Sequence, residues 1–318
     1  MDALPVNAHQ AWLHRLDWTV LRRLDGLLQG DYRSLWRGAG LDLADLREYQ
    51  HHDDVRHIDW NVTARLQQPH VRQYTEDREL TAWFLLDLTG SIDFGSDGRS
   101  KLAVAQGFAG ALARLLTRQG NRIGALLLRP GAAPADCVLP AGAGRHQVLR
   151  LLTLMSASPP AVAPRGDGQT RLAELLLQAE ALMRRRSMVF VLSDFISAPG
   201  WQAPLGRLAQ RHELLAVRLY DALEMALPDV GTLLVEDAES GEQLVVDTQD
   251  ASFRQRFAAL ASAHEAALRL ALGRAGADVL ELATGDDLLA SLLRLVALRR
   301  QRLRLPAGRR RASLAAAA

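Results

Sequence analysis

The segment Trp83-Phe84-Leu85-Leu86-Asp87-Leu88-Thr89-Gly90-Ser91 reads as a short apolar strand running into a polar turn. Four consecutive large apolar residues with no polar alternation suit a strand covered on both faces, as in the middle of a parallel sheet. Open α/β sheets collect ligands just beyond the carboxyl ends of such strands. Here that position carries one carboxylate and two hydroxyls. A helix is expected soon after, because Leu102, Ala105, Phe108, Ala109, Leu112 and Leu116 recur at spacings of three and four and define one apolar face.

Working outward, further strands are expected at Arg122 to Leu128, Cys137 to Leu139, Met188 to Leu192, Leu214 to Leu219 and Val279 to Leu282, with helices between them. That alternation predicts an α/β fold with a central, mostly parallel sheet and helices on both faces. After Thr170, the residues Leu172, Leu175, Leu176, Ala179, Leu182 and Met183 form a second packing stripe. Thr232 to Val235 and Gln243 to Val246 flank Ala-Glu-Ser-Gly and predict an inserted β-hairpin within residues 231–248. A long helix is expected from Ala251 to Arg274, with Phe253, Phe257, Leu260, His264, Ala267 and Ala271 on one side and His264 in the core or at its boundary. Pro159 to Gly168 reads as a loop that brings Thr170 to the site.

Two distant segments join the first turn. Thr170 opens a helix, and Asp194 follows the apolar strand of Phe-Val-Leu-Ser-Asp-Phe. Asp87, Thr89, Ser91, Thr170 and Asp194 therefore form a candidate ligand set. It contains oxygen donors only, which suits Mg2+, or Mn2+ or Ca2+, rather than zinc. The alternative is a strand-end turn whose Asp87 caps the following helix. No Ser-His-Asp arrangement and no Gly-rich loop ending in Gly-Lys-Ser is recognisable, and Thr89 stands where a dehalogenase-like site needs a second acid. Catalysis then reduces to a metal-assisted hydrolase using Asp87 and Asp194, with Asp93 as a further carboxylate. A structural scaffold with no metal is the third reading.

The 318-residue chain is 48% hydrophobic and 23% charged, an ordinary globular balance. Its pI near 9.0 is set by the end of the chain. Residues 299–318 hold seven of the 38 basic residues and no acid, leaving 31 basic against 36 acidic residues and a formal charge of −5 on the rest. A basic face for specific nucleic-acid binding is therefore not expected. The tail itself reads as disordered. Cys137, the single cysteine, reads as a small apolar strand residue, and no disulfide can form within the chain. Absence of a signal-like or membrane-length apolar run leads to the expectation of a cytoplasmic protein.

The second dense block runs from Arg47 to Trp60 (Arg-Glu-Tyr-Gln-His-His-Asp-Asp-Val-Arg-His-Ile-Asp-Trp), then Ala64-Arg65 and Pro69-His70-Val71-Arg72. Polar density of this kind is costly to bury unless paired. One reading is an ordered loop held by Asp–Arg pairs and anchored by Ile58 and Trp60, so that changing Asp53, Arg56 or Asp59 destabilises it. A second is metal binding by His51, His52, Asp53 and Asp54, which adjacent residues suit poorly. The third is a recognition surface.

Two resemblances attach to these residues. The Asp-x-Thr-x-Ser turn followed by Thr170 and Asp194 resembles the metal-ion-dependent adhesion site of von Willebrand factor A domains, with Thr89 where that family usually has serine. More specifically, Arg47, Tyr49, Asp53, Asp54, Arg56, Ile58, Asp59, Trp60, Ala64 and Arg65 resemble the hallmark block of family 58 of the domains of unknown function. His52 replaces the usual glycine. Glu76, Arg78 and Glu79, and then Asp221, Glu224, Pro228 and Gly231, extend the match over Gly38 to Leu298. The resemblance implies an N-terminal segment, residues 1–78, a von Willebrand A-like domain at residues 79–298, and the tail. It also implies a non-enzymatic, metal-dependent adaptor whose partner is a MoxR-type AAA+ ATPase or that ATPase's client. On this reading an acidic side chain of the partner completes the metal's coordination, and Thr89→Ala or Asp194→Ala lowers affinity while leaving the domain folded.

Overall fold

The computed structural model describes residues 42–51, 53–75, 80–96, 98–129, 138–157, 171–236 and 242–304. Of the candidate residues, Thr170 and His52 lie outside these, as do Cys137 and residues 305–318 of the basic tail. The chain divides into two compact units, one formed by Trp36–Leu80 and the other containing Thr81–Ala318.

In the smaller unit, strands β1 (Asp42–Glu48) and β2 (His70–Thr75) pair antiparallel, with Arg47 opposite Val71 and Glu48 opposite His70. These strands are not apparent in the polar sequence. Between them lie a 3-10 turn, Val55–His57, and helix α1, Trp60–Leu66. Asp59 caps α1 by accepting from the Asn61 and Val62 amides at 3.0 and 3.2 Å. Capping by a short acidic side chain satisfies N–H groups that a helix start otherwise leaves unpaired.

The larger unit is built on a six-stranded sheet in the order β10-β7-β6-β3-β4-β5. Its strands are β3 (Thr81–Asp87), β4 (Arg122–Leu128), β5 (Val138–Gly142), β6 (Met188–Ser193), β7 (Glu213–Tyr220) and β10 (Asp278–Ala283). All neighbours are parallel except β5, which runs antiparallel on the edge against β4. The connecting helices are α2 (Lys101–Arg118), α3 (Arg145–Ser156), α4 (Leu172–Leu182), α5 (Gln202–Arg211), the short α6 (Ala222–Met225), α7 (Ala251–Ala275) and α8 (Leu288–Arg304).

Alternation along the strands divides the core. Trp83, Leu85, Val189, Val191, Leu214 and Ala216 face α4, α5 and α7 in one cluster with Leu172, Leu176, Leu205, Leu208, Leu268 and Leu272. The intervening residues, including Phe84 and Phe190 stacked at 5.3 Å, belong to the opposite face. Buried residues of α2, α3 and α8 complete that side. Trp83 lies across Gly124 of the neighbouring strand, where a Cβ would stand 2.7 Å from the indole ring.

The hairpin forms as expected, from β8 (Thr232–Glu236) and β9 (Gln243–Asp247) in antiparallel register. Other expectations need correction. The buried stripe of α7 is Leu268 and Leu272, whereas His264 is exposed and Leu260 is 72% exposed. Only the C-terminal part of that long helix reaches full burial, while Phe253 and Phe257 nearer its N-terminus are half-buried. Helix α8 continues to Arg304, and Arg299 pairs with Glu213 at 3.0 Å, so the basic run begins as ordered helix.

Candidate functional site

The topology fixes where chemistry can gather. From β3 the chain crosses through α2 to β4, while from β6 it crosses through α5 to β7 on the opposite side. The carboxyl ends of the adjacent strands β3 and β6 therefore flank the switch in strand order, the crevice in which open α/β sheets bind ligands. Asp87 ends β3 and Asp194 follows β6.

Asp87 is 1% exposed. Its Oδ1 accepts from the Thr89 hydroxyl at 2.8 Å and the Thr89 amide at 3.3 Å, and its Oδ2 accepts from the Ser193 hydroxyl at 2.7 Å. Thr89 Oγ1 lies 3.5 Å from Ser91 Oγ. Asp87 thus organises the turn, while Ser100 caps α2; the helix-capping alternative for Asp87 does not hold. Burial, followed by the nearby Asp194 carboxylate, pushes Asp87 up to about pKa 7 against the opposing pull of the Ser193 and Thr89 hydroxyls.

The turn after β6 is tightly specified. Ser193 Oγ accepts from the Phe195 amide at 2.8 Å, and Asp194 Oδ1 accepts from the Ile196 amide at 3.0 Å. Phe195 takes φ +60°, a left-handed conformation costly for a residue with a Cβ. Its ring is buried against Trp201 at 5.4 Å, packing that holds the residue there.

Lys101 completes the cluster. It is 1% exposed, and its Nζ donates to Asp194 Oδ2 at 2.9 Å and to Glu224 Oε1 at 2.6 Å. Burial alone would lower its pKa, but Asp194 and Glu224 outweigh it and the net shift is upward, so the ammonium stays charged. Glu224 Oε2 accepts from the Asp221 amide, closing a capping box on α6. Asp221, fully buried, accepts from Ser96 through both amide and hydroxyl at 3.0 and 2.9 Å, from the Leu223 amide at 2.8 Å and from the Thr284 hydroxyl at 2.5 Å. The loop carrying Ser96 turns at Gly95, where a Cβ would stand 2.0 Å from the Arg99 carbonyl oxygen.

Four of the five candidate ligands, Asp87, Thr89, Ser91 and Asp194, are thereby gathered at one sheet end. The donor chemistry fits a hard cation: oxygens only, with two buried carboxylates beside them. Among the described residues no three His, Cys, Asp or Glu side chains gather as a metal-binding group, so the hydroxyls are necessary members of any such site. Asp93, the further carboxylate of the hydrolase reading, is exposed at the end of the turn Gly90–Asp93.

Lys101, Ser193 and the Asp221–Glu224 pair were not apparent as site residues in the sequence. One signal was available for Lys101: it is the only lysine in the chain, the other 37 of 38 basic residues being arginines.

In the smaller unit, Arg47 grips Asp53 through two bonds at 2.8 and 2.6 Å, and Asp53 also accepts from the Gln50 amide. Asp54 pairs with Arg56. The Tyr49 amide donates to the Pro69 carbonyl, and Ile58 bridges Val71. Arg65 is exposed in the last turn of α1. Trp60 is 70% exposed and so is no anchor.

An α/β domain with a mostly parallel sheet and an oxygen-lined cluster at its topological switch is the class that fold and site define. The particular family follows from the sequence: residues 45–267 match the model described as protein of unknown function DUF58, and the chain belongs to that family. Uncharacterised proteins of Mycobacterium bovis and Mycobacterium tuberculosis are each 40% identical over 297 residues, covering 92% of this chain and 90% of theirs. Among solved structures, the conserved hypothetical protein BatB from Bacteroides thetaiotaomicron is 14% identical with a TM-score of 0.43, covering 70% of this chain and 99% of that one. An aerotolerance-related membrane protein from Bacteroides fragilis is 13% identical with a TM-score of 0.41, over the same shares. No described helix of the present chain is long and apolar enough to cross a membrane.

Proposed function

We propose that this chain is a von Willebrand A-like interaction module whose Asp87, Thr89, Ser91 and Asp194, with Thr170, hold a divalent cation, Mg2+ in the first instance. The observation that carries the reading is the convergence of Asp87 and Asp194 at the carboxyl ends of adjacent strands with both carboxylates buried. A bound cation supplies a coordination position that an incoming carboxylate can take. Asp87 orients the Thr89 hydroxyl through its Oδ1, Ser193 fixes the Asp87 carboxylate from the other side, and the Phe195 turn sets Asp194. This arrangement recognises an acidic side chain without a nucleophile or general base.

The partner we infer is a MoxR-type AAA+ ATPase or its client. Purified ATPase from the same genome, passed over the immobilised chain, is expected to be retained in magnesium and released by chelator. Equal retention in chelator would require recognition through another surface, for which the exposed Trp60 and Val55 of the smaller unit are the candidate. The pair of buried carboxylates, Asp87 and Asp194, at the ends of adjacent strands makes the metal-assisted hydrolase the second reading. Hydrolysis of generic phosphoesters or peptides that is lost in Asp87→Asn would establish it.

A further inference from the structure

Every basic residue of this chain except Lys101 is an arginine. The one exception is wholly buried and reaches two acids, Asp194 at 2.9 Å and Glu224 at 2.6 Å. A guanidinium is a broad planar fork, whereas an ammonium is a compact point charge with three donors that fits between converging carboxylates. The departure from arginine thus falls where a small cation is needed. Its position is also that of a competitor. Asp194 Oδ1 accepts from the Ile196 amide and Oδ2 from Lys101, so a divalent ion that ligates Asp194 directly shares its carboxylate with the ammonium and competes with it for the same negative charge.

We propose that Lys101 is a built-in counter-cation that competes with the divalent ion for Asp194 and moves its charge onto Glu224 when the ion binds. The proposal rests on the metal-site reading above and adds its regulation. With no ion bound, Lys101 keeps Asp194 from being a buried, unpaired charge, a strongly destabilising state. With the ion bound, Glu224 keeps the ammonium paired. Glu224 also accepts from the Asp221 amide, and Asp221 holds both Ser96 and Thr284, so the exchange connects the site to the loop before α2 and to the end of β10.

The test is magnesium titration of the wild-type chain, Lys101→Met and Lys101→Gln, followed by calorimetry and by thermal unfolding. Both variants are expected to unfold at lower temperature than wild type in chelator, to bind magnesium about tenfold tighter or more, and to gain more thermal stability from it. Wild-type binding with no tightening in either variant would overturn the proposal and leave the metal site standing. No binding by wild type would overturn both. Should neither variant fold, the wild type still decides: isotope labelling of lysine side-chain nitrogen reports Lys101 alone. Its ammonium signal is expected to move as magnesium saturates the site, and an unmoved signal would contradict the exchange.

Discussion

Lys101 Nζ lies 2.9 Å from Asp194 Oδ2 with neither side chain more than 2% exposed. Asp194 is consequently two things at once, a candidate metal ligand and the partner of a buried ammonium. Removing one member of a buried pair leaves the other charged and unsolvated, which costs about 3–5 kcal/mol. Asp194→Ala leaves Lys101 with Glu224 as its remaining acid at 2.6 Å, so the loss in denaturant titrations done in chelator is expected to be measurable but below that range. Asp194→Asn, which keeps an acceptor for the Ile196 amide, should be the milder change.

Ser193 is expected to matter for stability as well as for the site. Its hydroxyl donates to Asp87 and accepts from Phe195, both within a buried turn. Ser193→Ala leaves a carboxylate oxygen and an amide without that partner and should cost about 1–3 kcal/mol in chemical unfolding. A cost near zero would show that other groups replace the hydroxyl.

The raised pKa of Asp87 sets a pH dependence in chelator. A carboxyl whose folded pKa is about 7 binds its proton more tightly in the folded state than in the unfolded chain, where about 4 is ordinary. Stability from this group is full below the unfolded value, declines as pH rises, and is lost once pH passes the folded value. Thermal unfolding between about pH 5 and pH 8 should therefore show higher stability at the acid end. Asp87→Asn should flatten this component, and a wild-type profile rising toward pH 8 would count against it.

In the smaller unit the polar block divides into parts that hold structure and parts that do not. Asp59→Ala removes the α1 cap and should cost about 1 kcal/mol. Arg56 and Trp60 are exposed, and alanine at either should leave unfolding unchanged. If Trp60→Ala instead weakened capture of a partner, the recognition reading of this block would gain its first support.

Much of the fold was legible because burial on both faces writes itself into sequence. The runs ending at Leu86 and Leu192 have no polar alternation, and the stripes of α2 and α4 repeat at helical spacing. Strands β1 and β2 were not legible, since their residues are largely polar and a helix and a turn separate them. The site was half legible. Asp87, Thr89, Ser91 and Asp194 stand out by type and placement at strand ends, whereas Lys101, Glu224 and Asp221 come together only through long-range topology. Periodicity cannot reveal that a first-turn lysine points inward, where the helix dipole disfavours a cation. The charge that it finds there lies 93 residues away in the chain.

The central claim, that Asp87 and Asp194 hold a divalent cation, is tested most directly by calorimetric titration of magnesium and of manganese into the wild-type chain and into Asp87→Asn. We predict saturable binding at one site in the wild type and its loss in the variant while the variant remains folded. Binding of equal strength in both, or none in the wild type, would contradict the account.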